Sequence, residues 1–263
     1  MNTLLKLTLP LALLSTANTA VFAETPEEQG LAIAQEADKR DSGFADFTAD
    51  MVMTLRNKQG EESRRDIRSK TLETKDDGDK TLTIFDRPED VKGTALLTFS
   101  HKKGSDDQWL FLPALKRVKR IASNNKSGPF MGSEFAYEDI SSQEVEKYTY
   151  KYLNDEQLDS EDTFVFERYP VDKNSGYTRQ VVWMDKSEYR VQKIDYFDRK
   201  NSLLKTLTFN DYKQYKDKFW RASKMDMINH QTGKSTTLGW SNYEFSIGLS
   251  DREFDRNALK RAR

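Results

Sequence analysis

The chain has no cysteine among its 263 residues, and it has only two histidines. The absence of cysteine excludes disulfides, a thiol nucleophile, and the lipid-modified cysteine that tethers some exported bacterial proteins to a membrane. The histidines, His101 and His230, lie far apart, and neither begins a His-Glu-x-x-His pattern. A Gly-x-Ser-x-Gly elbow is also missing. We therefore predict no enzyme activity, no metal site and no cofactor.

The chain also lacks an excess of charge of either sign. The chain has 42 Lys+Arg and 43 Asp+Glu, which gives a formal net charge of −1. A protein that binds nucleic acid as its main role usually carries a strong basic excess. Nucleic acid is therefore not predicted as a partner.

Long apolar runs are missing except at the N-terminus. There, Lys6 precedes a mostly apolar stretch from Leu7 to Ala20, and Val21-Phe22-Ala23 forms a small-x-small site. This pattern predicts a secretory signal peptide over residues 1–23. The stretch is interrupted by Pro10 and is shorter than the roughly 20 residues that a membrane span requires. We expect a single monomeric domain over residues 24–263 that is soluble in the periplasm of a Gram-negative bacterium.

What the chain does have is aromatic residues: 15 Phe, 11 Tyr and 4 Trp in a sequence that is 32% charged. This mixture is typical of strands with one aqueous face and one aromatic face. A single helix is predicted at the start, with Thr25 as N-cap, Pro26 at the first position and Glu28 closing a capping box, and with a stop at Asp41-Ser42-Gly43. Leu31 and Ala34 follow the cap at helical spacing.

From Phe44 onward the apolar residues alternate with a period of two, and turn residues separate the runs. The pattern predicts a mainly β protein with a few helices, in which about eleven strands form an antiparallel barrel or a strongly curved sheet. Residues 122–146 break the alternation although they contain Phe130, Met131, Phe135 and Tyr137. We interpret them as a lid of short helices, capped by Ser133 and Ser141, that covers the sheet.

Two parts of the chain resemble the outer membrane lipoprotein-sorting protein family, which is LolA-like and periplasmic. They are Asp106-Asp107-Gln108-Trp109-Leu110-Phe111-Leu112-Pro113-Ala114-Leu115-Lys116-Arg117-Val118-Lys119-Arg120-Ile121, and Phe130-Met131-Gly132-Ser133-Glu134-Phe135-Ala136-Tyr137-Glu138-Asp139. Flanking segments resemble the family as well, namely Phe85-Asp86-Arg87-Pro88, Val91-Lys92-Gly93-Thr94, Gly176-Tyr177 and Val182-Trp183-Met184-Asp185.

The resemblance implies an unclosed antiparallel β-barrel of about eleven strands, closed on one side by helices around an apolar cavity for acyl chains. It implies that the protein carries a lipid or a lipidated protein through the periplasm toward the outer membrane. It also implies an inner-membrane transporter of the resistance-nodulation-division type as a partner.

The candidate ligand-binding residues are aromatic and apolar side chains of the strands and the lid: Met51, Met53, Trp109, Phe111, Leu112, Phe130, Met131, Phe135, Tyr137 and Trp183. The alternative is that each simply fills a packed barrel. Arg117 and Arg120 are candidates for a lipid phosphate or for a partner surface, because arginine suits bidentate phosphate contacts. The alternative is a solvated strand face.

A second function stays open on the residues alone, namely an adaptor or structural subunit of a transporter complex with a filled core. We expect a carrier to have a mobile lid over an empty cavity. We expect an adaptor to have a rigid lid whose aromatic residues face a protein partner.

Overall fold

The structure is a computed structural model that describes residues 24–261. The predicted signal peptide, residues 1–23, lies outside the described residues. Neither helix in the described part of the chain combines the length and the apolar character needed to cross a membrane.

The first helix, α1 (Pro26–Asp41), begins and ends where the sequence predicts. The Thr25 hydroxyl accepts a hydrogen bond from the Glu28 amide at 3.2 Å, and the Thr25 amide donates to the Glu28 carboxylate at 2.9 Å. This reciprocal pair is a capping box. The buried face of the helix includes Ala34, as expected, together with Gly30 and Ile33, whereas Leu31 is 38% exposed.

Thirteen strands in residues 24–261 form one antiparallel sheet, slightly more than expected. The first six are β1 (Asp46–Arg56), β2 (Glu62–Leu72), β3 (Lys80–Arg87), β4 (Ala95–Phe99), β5 (Asp107–Leu112) and β6 (Arg117–Ile121). The other seven are β7 (Tyr148–Leu158), β8 (Glu161–Pro170), β9 (Tyr177–Asp185), β10 (Val191–Asp198), β11 (Leu203–Tyr215), β12 (Phe219–Asn229) and β13 (Ser235–Phe245). One of the additional strands, β7, follows directly after the lid segment.

The sheet consists of two meanders that meet at β1 and β13. The strand order is β6-β5-β4-β3-β2-β1-β13-β12-β11-β10-β9-β8-β7, and the central pair is aligned so that Met53 lies opposite Leu238. Among the described strands β6 and β7 are unpaired with each other, so they form the two edges of the sheet. The predicted unclosed antiparallel architecture is confirmed.

Each strand sends alternate side chains to opposite faces of the sheet. We call the inner face the one that carries the largest buried cluster, which includes Met53, Phe85, Leu110 and Phe166. A smaller cluster lies on the outer face of β3 to β5 and is covered by a second helix, α2 (Arg256–Arg261). Leu259 of α2 is fully buried there, so the charged C-terminal segment is part of the fold as far as residue 261.

The lid segment (residues 122–146) connects the two edge strands and crosses the inner face. It forms short 3-10 turns, such as Phe130–Gly132 and Tyr137–Asp139, and no regular helix. Ser133 was expected to begin a helix, but it ends the first of these turns, with its amide donating to the Phe130 carbonyl. Ser141 likewise begins no helix.

Candidate functional site

A cavity of about 690 Å³ lies between α1, the last residues of the lid segment and the inner face of β7 to β12. This volume is within the range of about 300–1,000 Å³ that is typical of small-molecule sites. Its apolar lining comes from the sheet, from α1 and from the connecting loops: Ala34, Ala37, Phe44, Val145, Tyr150, Phe166, Val182, Met184, Tyr189, Val191, Phe209, Tyr212 and Trp220.

Helix α1 is the roof of this cavity and is held at both ends. At its N-terminal half, Gly30 lies directly on β7, where a β-carbon would come within 2.9 Å of the Tyr152 amide nitrogen. At its C-terminal end, the Arg40 guanidinium lies over the Tyr189 ring at 4.2 Å and donates to the Ser187 carbonyl at 3.1 Å. The close backbone contact at one end and these side-chain contacts at the other place the helix across the sheet.

Carboxylates line the side of the cavity that faces β3 and the end of the lid. Burial, followed by repulsion from Glu144 and Glu73, raises the pKa of Asp79 to about 7. Burial is also the largest cause of the raised pKa of Glu144. Burial and the neighbouring carboxylates therefore favour the protonated form of Asp79 and of Glu144.

The cationic groups of the lining differ in their partners. Arg190 pairs with Asp185 at 2.9 Å, and Arg40 pairs with Glu36 at 2.8 Å. Arg168, in contrast, donates its hydrogen bonds to the side-chain carbonyls of neutral glutamines.

The lid segment is anchored to the sheet by a buried polar network. The Lys205 ammonium pairs with the Asp139 carboxylate at 2.7 Å, and both side chains are 4% exposed. The same ammonium donates to the Glu134 carbonyl at 2.9 Å, and the Tyr177 hydroxyl donates to Asp139 at 2.9 Å. Burial, together with the Asp139 charge, raises the pKa of Tyr177 well above its usual range, so this hydroxyl stays a donor.

Further contacts fix the lid along its length. The Glu138 carboxylate accepts hydrogen bonds from the Gly176 amide and the Ser175 hydroxyl, both at 2.8 Å. The Asn229 amide group donates to the Glu134 carboxylate at 2.7 Å. A buried and nearly complete set of charge-assisted hydrogen bonds makes this segment rigid.

Most of the predicted site residues of the lid and β1 lie together in the main core. Phe130 and Phe135 are fully buried, and Met51 and Met53 are buried on the inner face of β1. Met131 and Tyr137 are partly buried against the same cluster, and the Tyr137 ring contacts the Phe130 ring edge-on at 5.6 Å. These side chains fill the space under the lid.

The other predicted apolar residues are distributed over both faces of the sheet. Leu112 packs at the margin of the main core. Trp109 and Phe111 lie in the outer-face cluster, where Trp109 packs edge-on against Phe99 at 5.2 Å. Trp183 is partly buried on β9, with the Lys193 ammonium over its ring at 3.9 Å. Among the described residues, none of these side chains lines the cavity beneath α1, and their contact with a ligand stays a prediction.

The structure does not bring Arg117 and Arg120 together. Both are exposed on the edge strand β6. Arg117 lies opposite Leu112 and Arg120 lies opposite Trp109, so the two side chains leave opposite faces of the sheet. Arg120 forms an ion pair with Asp107. A single phosphate therefore cannot be held by both guanidinium groups in this arrangement.

Sequence reasoning missed the residues that line the cavity. Phe166, Val182 and Met184 belong to strands that were predicted correctly, and their alternation marks one face of the sheet. The alternation does not indicate which of the side chains on that face line a cavity and which are covered by other parts of the chain. Tyr148, Tyr150 and Tyr152 alternate in the same way, and this signal would have revealed β7.

Solved structures with the same fold come from several bacteria. The chain is similar to an outer membrane lipoprotein-sorting protein domain from Vibrio parahaemolyticus, with 61% identity and a TM-score of 0.88 over 89% of this chain and 99% of that one. It is also similar to a DUF1329 family protein from Desulfovibrio piger, with 31% identity and a TM-score of 0.85 over 89% of this chain and 99% of that one.

A LolA superfamily protein from Nitrosomonas europaea has the same fold, with 20% identity and a TM-score of 0.70 over 87% of this chain and 98% of that one. A family model described as an uncharacterized protein matches residues 77–261. Among curated proteins, none matches the chain significantly. The chain belongs to the outer membrane lipoprotein-sorting protein family, and its fold is that of the LolA superfamily protein.

Proposed function

We propose that this member of the outer membrane lipoprotein-sorting family is a periplasmic carrier that binds the acyl chain of a lipid or lipidated protein in the cavity beneath α1. The observation that carries the proposal is the cavity of about 690 Å³ itself, floored by aromatic and aliphatic side chains. Its role is binding and transfer without catalysis.

The physical need for such a cavity follows from the energetics of acyl chains. Burying an acyl chain gains about 0.8 kcal/mol per CH₂ group, so a lipid leaves a membrane for water only if a protein offers an equivalent apolar surface. Phe166, Val182, Met184 and Phe209 offer that surface on the inner face of the sheet. The predicted signal peptide supports export to the periplasm, which the proposed transfer toward the outer membrane requires.

The proposed route to the cavity does not require the lid to open, although a mobile lid is expected of a carrier. The lid is pinned by the Lys205 and Asp139 pair, and Phe130 fills the space beneath it. In the proposed carrier, the ligand therefore enters beside α1, whose C-terminal end is held by exposed side chains such as Arg40. An inner-membrane transporter of the resistance-nodulation-division type remains the proposed partner, with Arg117 or Arg120 of the edge strand as contacts.

A second candidate function is an adaptor subunit of a transporter complex. The observation in its favour is the rigid lid over a filled core. However, the rings of Phe130 and Phe135 are buried, so they offer no aromatic surface to a protein partner. The adaptor would have to use another surface, such as the edge strand β6.

The test is native mass spectrometry of the mature protein purified from its own periplasm, with extraction of any bound lipid. Ala37→Trp places an indole in the roof of the cavity, and Leu31→Trp makes the same type of change at an exposed position of the same helix. We expect a co-purifying lipid or lipopeptide in the wild type and in Leu31→Trp, and its loss in Ala37→Trp.

Apo protein in all three samples that also fails to bind a neutral apolar fluorophore such as N-phenylnaphthylamine would overturn the carrier. Capture of a membrane transporter by that apo protein, abolished by changes in β6, would favour the adaptor instead.

A further inference from the structure

The cavity beneath α1 contains a buried arginine that has no acidic partner. Arg168 of β8 is 9% exposed and lies on the cavity wall. None of the ion pairs formed within residues 24–261 includes it. A buried cationic side chain is normally paired, because an isolated charge removed from water is unfavourable by several kcal/mol.

The contacts of Arg168 fix its orientation but leave donors free. Nε donates to the Gln180 side-chain carbonyl at 2.7 Å, and Nη2 donates to the Gln143 side-chain carbonyl at 3.3 Å. The guanidinium also lies over the Tyr148 ring at 4.5 Å. A guanidinium has five N–H groups. The remaining ones, including both on Nη1, have no acceptor among the described residues.

Several other buried or half-buried cations of the described residues have an acidic partner. Lys205 pairs with Asp139 at 2.7 Å in the lid network, and Arg190 pairs with the fully buried Asp185 on another wall of the same cavity. Arg179 lies on the strand next to β8 and pairs with Glu167 on the outer face at 2.9 Å. At Arg168 no carboxylate of the described residues occupies the position of a counter-ion, and the guanidinium borders the cavity instead.

We propose that Arg168 is the anion-binding residue of the cavity and receives a singly charged oxyanion, a carboxylate or a phosphate ester, at the head of the bound acyl chain. This inference rests on the proposed function and names the chemical class of its ligand. The guanidinium is held in place by Gln180, Gln143 and the Tyr148 ring, so little ordering is needed when the oxyanion binds.

The surroundings of Arg168 fit an amphiphile better than a free anion. Tyr150, Phe166 and Val182 lie next to it on the same cavity wall and would contact the first part of an acyl chain. Carboxylates elsewhere in the lining, such as Glu144 and Asp79, disfavour a second negative charge in the cavity. A ligand with a single oxyanion on an apolar chain can bind Arg168 and contact the apolar side chains without placing a second negative charge near the carboxylates.

The test compares three ligands for their ability to displace N-phenylnaphthylamine from the full mature protein near pH 8. Myristate and dodecyl phosphate carry an oxyanion on an apolar chain, whereas monomyristin is neutral. Charge-assisted hydrogen bonds of this kind give a preference of about 10- to 100-fold. We expect the wild type to bind myristate more tightly than monomyristin by such a factor. Dodecyl phosphate, which carries a higher charge at this pH, should rank between the two.

The variants separate this inference from the proposed function. Arg168→Gln should bind the neutral fluorophore and monomyristin as the wild type does, and should lose the preference for myristate. Arg179→Gln removes a positive charge from the outer face of the same hairpin, and this variant should retain the preference for myristate. Arg168→Lys retains the charge without the planar fork, and an intermediate preference is expected even if the glutamine variant fails to fold.

An unchanged preference in Arg168→Gln, or in Arg168→Lys where only that variant folds, would overturn the role of Arg168 while leaving the carrier intact. Inorganic phosphate that competes as well as dodecyl phosphate would show a free-anion site and overturn the amphiphile. Failure of every protein to bind the fluorophore would overturn the carrier, and this inference with it.

Discussion

The inner face of the sheet is covered in two different ways. The lid-covered region, around Phe85, Phe130 and Phe135, is filled with rings and closed by a buried ion pair. The helix-covered region, around Phe166, Met184 and Phe209, retains a cavity of about 690 Å³ beneath α1. Both regions use the same aromatic and aliphatic residue types, so composition does not distinguish a packed core from a binding cavity.

The difference lies in what covers each region. The lid is an irregular chain that inserts its own side chains, such as Phe130, between the strands. Helix α1 lies over the sheet with Gly30, Ile33 and Ala34 toward it, and Gly30 is the point of close contact with the β7 backbone. A regular helix holds its side chains at fixed positions and leaves a space where they do not reach the sheet, whereas an irregular segment adapts to the surface and fills it.

The largest expected effect comes from breaking the anchor of the lid-covered region. Lys205→Met leaves the buried Asp139 carboxylate without its cationic partner, and we expect a loss of about 4 kcal/mol in the free energy of unfolding. Denaturant unfolding measures it. The double variant Lys205→Met with Asp139→Asn removes both charges and should recover most of the loss. A double variant as unstable as the single one would contradict the pairing argument.

The next effect compares one phenylalanine from each region. Phe130→Ala creates a void in a filled core and should lower the free energy of unfolding by about 3 kcal/mol. Phe209→Ala enlarges a space that already exists and should lower it by about 1 kcal/mol, while weakening the binding of N-phenylnaphthylamine. Urea unfolding and fluorophore titration of both variants measure the contrast. Equal losses of stability would show that the two regions do not differ in packing.

The third prediction concerns the contact between α1 and β7 at Gly30. Gly30→Val places side-chain carbons against the β7 backbone, where even one added carbon lies 2.9 Å from the Tyr152 nitrogen. We expect a destabilisation of about 2 kcal/mol and faster hydrogen exchange of the α1 amides. Ala32→Val, at an exposed position of the same helix, is the matched control. Similar hydrogen-exchange rates in the two variants would mean that the contact at Gly30 does not hold α1 against the sheet.

The smallest effect is a pH dependence of the acidic wall. Burial and neighbouring carboxylates raise the pKa of Asp79 from its ordinary 3.8 to about 7. Between these values the folded chain holds a proton that the unfolded chain releases, so the contribution of Asp79 to stability falls as pH rises from about 4 through about 7.

Asp79→Asn is uncharged at every pH and should remove this dependence. We expect the variant to be more stable than the wild type by about 1 kcal/mol near pH 8 and to differ little near pH 4, after allowing for the partial exposure of the carboxyl. Asp76→Asn, at an exposed position of the same turn, is the control. A difference between wild type and Asp79→Asn that is the same at both pH values would contradict the raised pKa.

Much of the fold was predictable from local sequence. The capping box at Thr25 and Glu28 predicted the start of α1, and alternating apolar residues predicted most of the strands. The missed strand, β7, lies directly after the lid, where the tyrosine alternation was not recognised. The face of α1 was mistaken at Leu31, because helical spacing does not reveal that the helix approaches β7 through a glycine.

The sequence predicted the family of the protein but not which residues line the cavity. The two segments that resemble the family, from Asp106 to Ile121 and from Phe130 to Asp139, indicated the family, and the family is confirmed. Yet Trp109 packs under α2 on the outer face, and Phe130 fills the core. The arginine that lines the cavity, Arg168, was not among the candidate residues.

The sequence by itself determined the alternation of the strands, the cap of the first helix and the family, because these depend on residue types at short spacing. Only the tertiary structure decided which aromatic side chains pack against each other and which line a space. That outcome depends on contacts between residues far apart in the chain, such as Gly30 with Tyr152 and Lys205 with Asp139. No local pattern specifies the depth of the gap that such contacts leave between a helix and a sheet.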